Sequence, residues 1–160
     1  MFDITLICMG KLKEKFYISA AQEYEKRLKG YCNFRLIELP EVRLPEDPSQ
    51  AEIQAGLEKE ADAILSKLPK GCWFCVLTPE GKLNSSEELA AKLHDVKLSG
   101  KSSACFLIGS SFGIAPRVKQ AADLKLSMSP MTFPHHLARV MVLEQIYRAE
   151  AIQAGSKYHK

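Results

Sequence analysis

Two uninterrupted apolar runs constrain the fold of this chain more than any other feature of its sequence. Cys72–Thr78 and Ala104–Ile108 contain no charged side chain, and they are followed by the turn-like segments Pro79–Gly81 and Gly109–Gly113. A strand that lacks polar alternation is typical of a strand covered on both faces. The sequence therefore predicts a sheet with helices packed on both of its sides.

Strand-like and helix-like patterns alternate along the rest of the chain. The repeated β-α order indicates an α/β fold, with a mostly parallel sheet flanked by helices. Strands are predicted over 3–9, 33–39, 72–78, 104–108 and 124–128, and helices over 13–29, 49–68, about 85–97, a short stretch after Pro116, and about 135–153. Ser49 and Glu52 have capping-box spacing, and Ser85 or Ser86 is expected to cap the third helix.

Size and composition are typical of a globular protein, and we expect one domain spanning residues 1–160. The sequence is 46% hydrophobic and 26% charged, which excludes disordered, collagen-like and low-complexity chains. No window approaches 18 consecutive apolar residues, so no membrane span is expected. The first ten residues lack the basic lead of a secretory signal. We therefore expect a cytoplasmic location.

Charge is distributed unevenly along the chain. Residues 1–80 hold 11 Lys and Arg against 13 Asp and Glu, which gives a net charge of −2. Residues 81–160 hold 11 Lys and Arg against 6 Asp and Glu, which gives a net charge of +5. The second half is the better candidate for contact with a phosphate backbone. An ordinary solvated basic face would give the same pattern.

Three strand ends form the candidate ligand site. In parallel sheets ligands bind beyond the carboxyl ends of the strands, here Leu77–Gly81, Gly109–Gly113 and Met128–Phe133. The last of these leads into Pro134 and a helix, and it offers both backbone amides and apolar side chains. Such a mixture suits a ligand with a flat aromatic part and a polar part, although a purely structural loop remains an alternative.

The five cysteines are expected to be reduced core residues. Cys72 and Cys75 form a C-x-x-C, but they lie within a strand, where residues three apart point to opposite faces. A thioredoxin-like oxidoreductase would instead need a thiol with a strongly lowered pKa at a helix N-terminus. The four histidines are scattered, so we expect no metal site.

The last helix and the tail carry two further signals. Apolar residues cover more than one face of the helix over 135–153, which indicates burial in a large core or against a partner, and a homodimer is the simpler explanation. Thr132 is expected to cap this helix, with Pro134 in its first turn. The tail Ser156–Lys160 is either a frayed end or a segment that contacts phosphate, stacks on a base and moves a proton.

Five segments together resemble one bacterial family. They are Phe106–Gly113, Leu126–His135, Leu137–Val140, Glu144–Ala149 and Tyr158–Lys160. Over its whole length the chain resembles the ribosomal RNA large subunit methyltransferase H family of the SPOUT superfamily. The resemblance implies a C-terminal trefoil knot, a homodimer and S-adenosylmethionine bound in the knot. It also implies methylation of N3 of a pseudouridine in helix 69 of 23S rRNA, on the assembled ribosome.

The resemblance also implies which residues form the site. The cofactor contacts would be Leu77, Gly109, Met128, Ser129, Pro130, Met131, Thr132 and Phe133. RNA binding or catalysis would fall to Arg139, Arg148, Tyr158, His159 and Lys160. One departure is visible, because many members have two glycines where this chain has Gly109 and Ser110.

The reaction implied by the resemblance needs a proton acceptor, because N3 of the target base carries a proton. His159 is our candidate, since histidine titrates near neutrality, and Arg139 or Arg148 would otherwise hold the developing anion. Glu144 and Arg148 lie four residues apart and can equally form a structural ion pair. The low net charge of +3 predicts weak binding of naked RNA. It also fits the alternative function, a non-catalytic ribosome- or RNA-binding module with the same fold.

Overall fold

Five strands alternate with five helices, in the predicted order. The computed structural model describes residues 1–160. The elements are β1 (Asp3–Met9), α1 (Lys15–Leu28), β2 (Asn33–Leu39), α2 (Gln50–Lys67), β3 (Trp73–Leu83), α3 (Ser86–Leu98), β4 (Ser103–Ile108), α4 (Pro116–Ala121), β5 (Leu124–Ser127) and α5 (His135–Gln153).

All neighbouring strands of the single five-stranded sheet are parallel. The strand order is β2-β1-β4-β3-β5, and each pairing runs in the parallel sense. The carboxyl ends of all five strands therefore lie along one edge of the sheet. This arrangement confirms the predicted parallel α/β architecture and places the ends of β4 and β5 on the same side of the sheet.

Helices cover both faces of the sheet, as the apolar runs predicted. One core, which includes Phe106 and Ile146, lies between the sheet and helices α1, α3 and α5. The other, which includes Leu107 and Val118, lies beneath α2 and α4. Every residue of β4 is buried, because alternate side chains of this central strand enter the two cores.

Helices α2 and α3 begin with the predicted capping boxes. The Ser49 hydroxyl accepts from the Glu52 N–H, and the Ser49 N–H donates to the Glu52 carboxylate, both at 3.1 Å. Ser85, rather than Ser86, makes the equivalent pair of bonds with Glu88 at 3.0 and 2.7 Å. These reciprocal bonds satisfy backbone N–H groups that have no partner inside the helix.

Strand β3 is longer than predicted. The prediction that it ends at Thr78 and turns at Pro79–Gly81 is wrong, because the strand continues to Leu83. Its pairing with β5 shifts register across Pro79–Gly81, which forms an irregular bulge within the strand. A Cβ at Gly81 would lie 2.7 Å from the backbone carbonyl of Lys125. The glycine therefore permits the close approach of two strands.

The start of α5 also differs from its prediction. Thr132 is not the N-cap, because Pro134 occupies that position and no side chain caps the helix. An N-cap residue must immediately precede the first helical residue, which is His135. Strand β5 ends at Ser127, one residue earlier than predicted. Thr132 therefore belongs to the loop between β5 and α5 and is available to a ligand.

Helix α5 packs against α1 and α3. That core accounts for much of its apolar character, while Val140 and Met141 stay only partly buried. Neither α5 nor any other helix is both long enough and apolar enough to cross a membrane. The buried residues of α5 are Arg139, Val142, Leu143, Ile146, Ala149, Glu150 and Ala151.

The C-x-x-C motif is divided between the two cores, as expected. Cys72 lies in the core beneath α2 and α4, and Cys75 lies in the core on the opposite face. All five cysteines are buried and free, and burial raises the pKa of Cys8 to about 12. A hydrogen bond with Cys105 lowers the pKa of Cys72. No three His, Cys, Asp or Glu side chains come close enough to hold a metal ion.

Candidate active site

A cavity of about 560 Å³ lies at the sheet edge where β4 and β5 end, a volume in the range of small-molecule sites. The loops after β4 and β5 line it, together with the β3 residues where its bulge begins and the first residues of α5. Pro130 is exposed and is the one predicted cofactor residue that does not line the cavity. The predicted residues that do line it are Leu77, Gly109, Met128, Ser129, Met131, Thr132 and Phe133.

The loop Gly109–Gly113, which we call the glycine loop, is tightly closed. A Cβ at Gly109 would lie 2.5 Å from the Ile114 side chain and 2.7 Å from the Gly113 carbonyl oxygen. The Gly113 N–H donates to the Ser110 carbonyl at 3.0 Å, and Gly113 has a φ of +101°. Glycine is required at both positions, at Gly109 for space and at Gly113 for its left-handed backbone.

Glu60 supports the glycine loop from outside the cavity. Its carboxylate accepts a hydrogen bond from the Ser110 hydroxyl at 2.7 Å, although the residue lies on α2 and is 5% exposed. Glu60 was not predicted from the sequence as a site residue. The available signal was its spacing from Gly56 and Ile64, which places an acidic residue on the buried face of α2.

Short hydrogen bonds also shape the loop between β5 and α5. The Ser127 hydroxyl donates to the Ser129 carbonyl at 3.0 Å, and the Ser129 hydroxyl accepts from the Met131 N–H at 3.0 Å. The Met131 side chain is left 72% exposed. The loop therefore presents a flexible apolar side chain at the cavity.

The cavity is almost free of ionisable groups. No Lys, Arg, Asp or Glu lines it, and His135 is its only titratable residue. Burial, together with the neighbouring His136, lowers the pKa of His135, which favours the neutral imidazole. Its Nε2 lies 3.5 Å from the carboxylate of Glu41. A cationic ligand would therefore meet no positive side chain in the cavity.

The structure brings Arg148, Tyr158 and His159 together in a second group, which we call the tail cluster. The Arg148 guanidinium is 4.7 Å from the centre of the Tyr158 ring and donates to Nδ1 of His159 at 3.1 Å. It also pairs with Glu144 at 2.6 Å, which confirms the helical ion pair expected from the sequence. His159 Nε2 contacts the Glu87 carboxylate at 2.7 Å.

These contacts fix the hydrogen-bonding state of His159. Arginine can only donate, so Nδ1 of the imidazole must accept and Nε2 carries the proton shared with Glu87. The same bond to His159 lowers the pKa of Glu87, and burial raises the pKa of Tyr158. Both imidazole nitrogens are engaged in this arrangement. His159 can accept a proton at Nδ1 only after it leaves Arg148.

A second cavity, of about 490 Å³, lies between the first cavity and the tail cluster. It shares Leu77, Leu126 and Met128 with the first cavity, and Glu144, the ion-pair partner of Arg148, also lines it. Ser86 and Gln145 close part of its wall through a 2.7 Å hydrogen bond. Glu144 is thus the residue through which the tail cluster meets this second cavity.

Arg139 lies apart from the tail cluster. Its side chain is almost fully buried, and it pairs with Glu38 at 2.6 Å and donates to the Gly10 carbonyl at 2.9 Å. These contacts join α5 to the ends of β1 and β2. The structure therefore does not bring Arg139 together with Arg148 and His159. Lys160 is exposed at the end of the tail.

Sequence comparisons identify relatives that match almost the entire chain. Residues 2–159 match a family model described as "Predicted SPOUT methyltransferase". The chain is 45% identical over 158 residues to the ribosomal RNA large subunit methyltransferase H of Clostridium novyi, with 99% of each chain covered. It is 41% identical over 160 residues to the same-named protein of Moorella thermoacetica, with 100% of each covered.

Solved structures with low sequence identity share the fold. The tRNA (m1G37) methyltransferase from Aquifex aeolicus gives a TM-score of 0.53 at 14% identity, covering 91% of this chain and 69% of that one. A methylase family protein from Neisseria gonorrhoeae gives a TM-score of 0.54 at 16% identity, covering 90% of this chain and 81% of that one. These likenesses establish a common fold, and the full-length sequence matches establish kinship. The chain belongs to the ribosomal RNA large subunit methyltransferase H family of SPOUT methyltransferases.

Proposed function

We propose that this protein transfers a methyl group from S-adenosylmethionine to N3 of a pseudouridine in helix 69 of 23S rRNA, on the assembled ribosome. Family membership supports the reaction class. The observation that carries the proposal for this chain is the strand-end cavity, which is lined by all of the expected cofactor residues except Pro130. Bound there, S-adenosylmethionine would supply an electrophilic methyl group on a cationic sulfur.

The cavity residues suit that cofactor. Leu77, Met128 and Phe133 offer apolar surface for a flat ring, and the glycine loop presents backbone groups to its polar part. The absence of lysine and arginine, together with a neutral His135, avoids repulsion of the sulfonium. Alignment alone is worth about 7–11 kcal/mol in well-oriented reactions, so a rigid cavity is itself a catalytic device.

The tail cluster supplies the groups that the target base needs. We propose that His159 accepts the N3 proton after the tail leaves Arg148, and that Arg148 then stabilises the negative charge on the base. Tyr158 stays protonated and offers a ring on which the base stacks. Arg139 already satisfies Glu38 and Gly10, so its proposed role is to hold α5 in place.

We also propose a homodimer in which the tail reaches the cofactor site of the other subunit. Val140 and Met141 support this arrangement, because they leave apolar surface on α5 only partly covered. The proposed trefoil knot would involve the chain from β4 to α5. That segment passes beyond β3 to the edge strand β5 before returning over the sheet to α1.

Methyl transfer to ribosomes tests the proposed function. Ribosomes from cells lacking this protein are incubated with it and labelled S-adenosylmethionine, and the modified nucleotide is mapped. We expect label at one helix 69 pseudouridine in assembled ribosomes and little label in naked 23S rRNA. Cofactor binding without transfer to ribosomes would contradict the proposed substrate. Ribosome binding with neither transfer nor cofactor binding would favour the non-catalytic module.

A further inference from the structure

We infer that Glu60 is a positioning residue for cofactor binding, which acts through the Ser110 hydroxyl to hold the glycine loop in its binding geometry. The inference rests on the proposed function, because the glycine loop is taken as part of the cofactor site. Glu60 lines neither cavity. Its effect on the cofactor is therefore indirect.

The surroundings of Glu60 are unusual for a carboxylate. The residue is 5% exposed, yet it takes part in none of the ion pairs of the structure, and buried carboxylates are costly unless their oxygens are satisfied. One oxygen accepts from the Ser110 hydroxyl at 2.7 Å and the other from the Val42 N–H at 3.0 Å. The two donors come from segments that are distant in sequence, and the Glu60 carboxylate links these segments by hydrogen bonds.

The Ser110 bond is the one side-chain hydrogen bond that anchors the glycine loop. Within the loop, the Gly113 N–H donates to the Ser110 carbonyl, while Ser111 and Phe112 are exposed. Because Gly113 is hydrogen-bonded to Ser110, holding Ser110 in place also holds the exposed residues Ser111 and Phe112 between them. A glycine at position 110 would have no such tether.

Glu60 is also linked, through Val42, to the segment that faces the first residue of α5. Val42, its second donor, follows Glu41, whose carboxylate lies 3.5 Å from the imidazole of His135. His135 and Ser110 both line the cavity. A single buried carboxylate thus links the glycine loop to the segment that faces the first residue of α5, and movement of either side would strain the other.

The test compares Ser110→Ala with wild type, using calorimetric titration of S-adenosylmethionine and steady-state methyl transfer. Loss of one hydrogen bond that orders the loop should raise Kd and KM for the cofactor about fivefold. The thermal midpoint without cofactor should also fall, because the buried Glu60 carboxylate loses one of its two donors. The readout specific to positioning is therefore Kd, because a core-packing role for Ser110 would lower the midpoint and leave Kd unchanged.

The Glu60→Gln variant tests whether the effect passes through the carboxylate. The glutamine oxygen can accept from the Val42 N–H, but its NH2 group then faces Ser110, whose hydroxyl must turn and accept. This neutral tether is weaker than the bond to a carboxylate, so cofactor binding should weaken, by no more than in Ser110→Ala. The Glu60→Gln/Ser110→Ala double variant should bind S-adenosylmethionine about as weakly as whichever single variant binds it less tightly. The effects of substituting two residues that contact each other in one network do not simply add. Glu58→Gln is the matched control, because Glu58 lies on the same helix, is exposed and pairs with Arg117.

Three results would overturn the inference. They are a Ser110→Ala variant whose Kd stays within twofold of wild type, single-variant effects that simply add, and a Glu58→Gln effect as large as that of Glu60→Gln. Each of these three results is a cofactor Kd, measured without the ribosome. Failure of the proposed function would appear differently, as wild-type protein that does not bind S-adenosylmethionine.

Discussion

At the residue scale, the guanidinium of Arg139 illustrates how a charged group becomes part of a core. The side chain is 2% exposed, whereas that of its partner Glu38 is 28% exposed. The Gly10 carbonyl takes a further hydrogen bond from the guanidinium. Breaking a buried ion pair costs most when the charge that remains cannot reach water. The two partners are therefore not equivalent.

This asymmetry predicts an order of stability losses. Glu38→Ala leaves Arg139 buried without its counter-charge and should cost about 3 kcal/mol. Arg139→Leu leaves Glu38 partly hydrated and one unpaired carbonyl, and should cost about 1–2 kcal/mol. Urea unfolding measures both. An Arg139→Leu loss larger than that of Glu38→Ala would contradict this explanation.

His159 carries the second residue-scale prediction. His159→Ala should lower the single-turnover rate of methyl transfer to ribosomes by about a hundredfold or more, the usual contribution of a general base. The affinity for S-adenosylmethionine should change little, because the proposed partner of His159 is the target base and not the cofactor. His94→Ala, an exposed histidine on α3, is the control. A His159→Ala variant with the wild-type rate would remove His159 from the mechanism.

At the scale of elements, the bulge in β3 is tied to α4 by an ion pair. Glu80 accepts from Lys119 at 2.5 Å. Hydrogen bonds from Lys119 and then Thr78 lower the pKa of Glu80 to about 2. A lowered carboxylate pKa stabilises the fold above the ordinary pKa, near 4.5, and that contribution is lost as the pH falls toward 2. The pair therefore strengthens the edge of the cavity only when Glu80 is ionised.

Glu80→Gln tests this contribution. The Glu80 side chain is 60% exposed, so screening limits the loss at pH 7 to about 0.5 kcal/mol. The difference between wild type and variant should shrink as the pH falls from 4.5 toward 2. Chemical unfolding over that range measures it. A difference that is constant with pH, or that grows at acidic pH, would show that the charge of Glu80 is not responsible.

At the scale of the whole molecule, local patterns predicted the layers and the site edge, but not the long-range contacts. Apolar runs and capping boxes report burial and helix starts, and parallel strands bring their carboxyl ends together, so Leu77, Gly109 and Met128 were correctly placed beside one cavity. The Glu60–Ser110 bond joins residues 50 apart, and the Arg139–Glu38 pair joins residues 101 apart. The periodicity of helices and strands in the sequence does not indicate which distant residues come into contact.

The same limit explains why β3 was predicted too short. Proline and glycine are normally read as the end of a strand, but here the neighbouring strand β5 resumes pairing after the bulge. That pairing depends on where β5 lies in the sheet, at the edge beyond β3. Sheet order is a property of the whole chain. The sequence of the segment alone could not supply it.

The shift of the thermal midpoint by S-adenosylmethionine tests the central claim, that the strand-end cavity binds this cofactor. At a cofactor concentration of about 100 times Kd, binding should raise the free energy of unfolding of the wild-type protein by about 2.7 kcal/mol. Its thermal midpoint should therefore rise by roughly 5–10 °C. Gly109→Ala should lose most of this shift, because its Cβ would collide with Ile114 and Gly113. Gly30→Ala, whose Cβ meets only ordinary contacts, should keep it. A wild-type midpoint unmoved by saturating cofactor, or an undiminished shift in Gly109→Ala, would contradict the account.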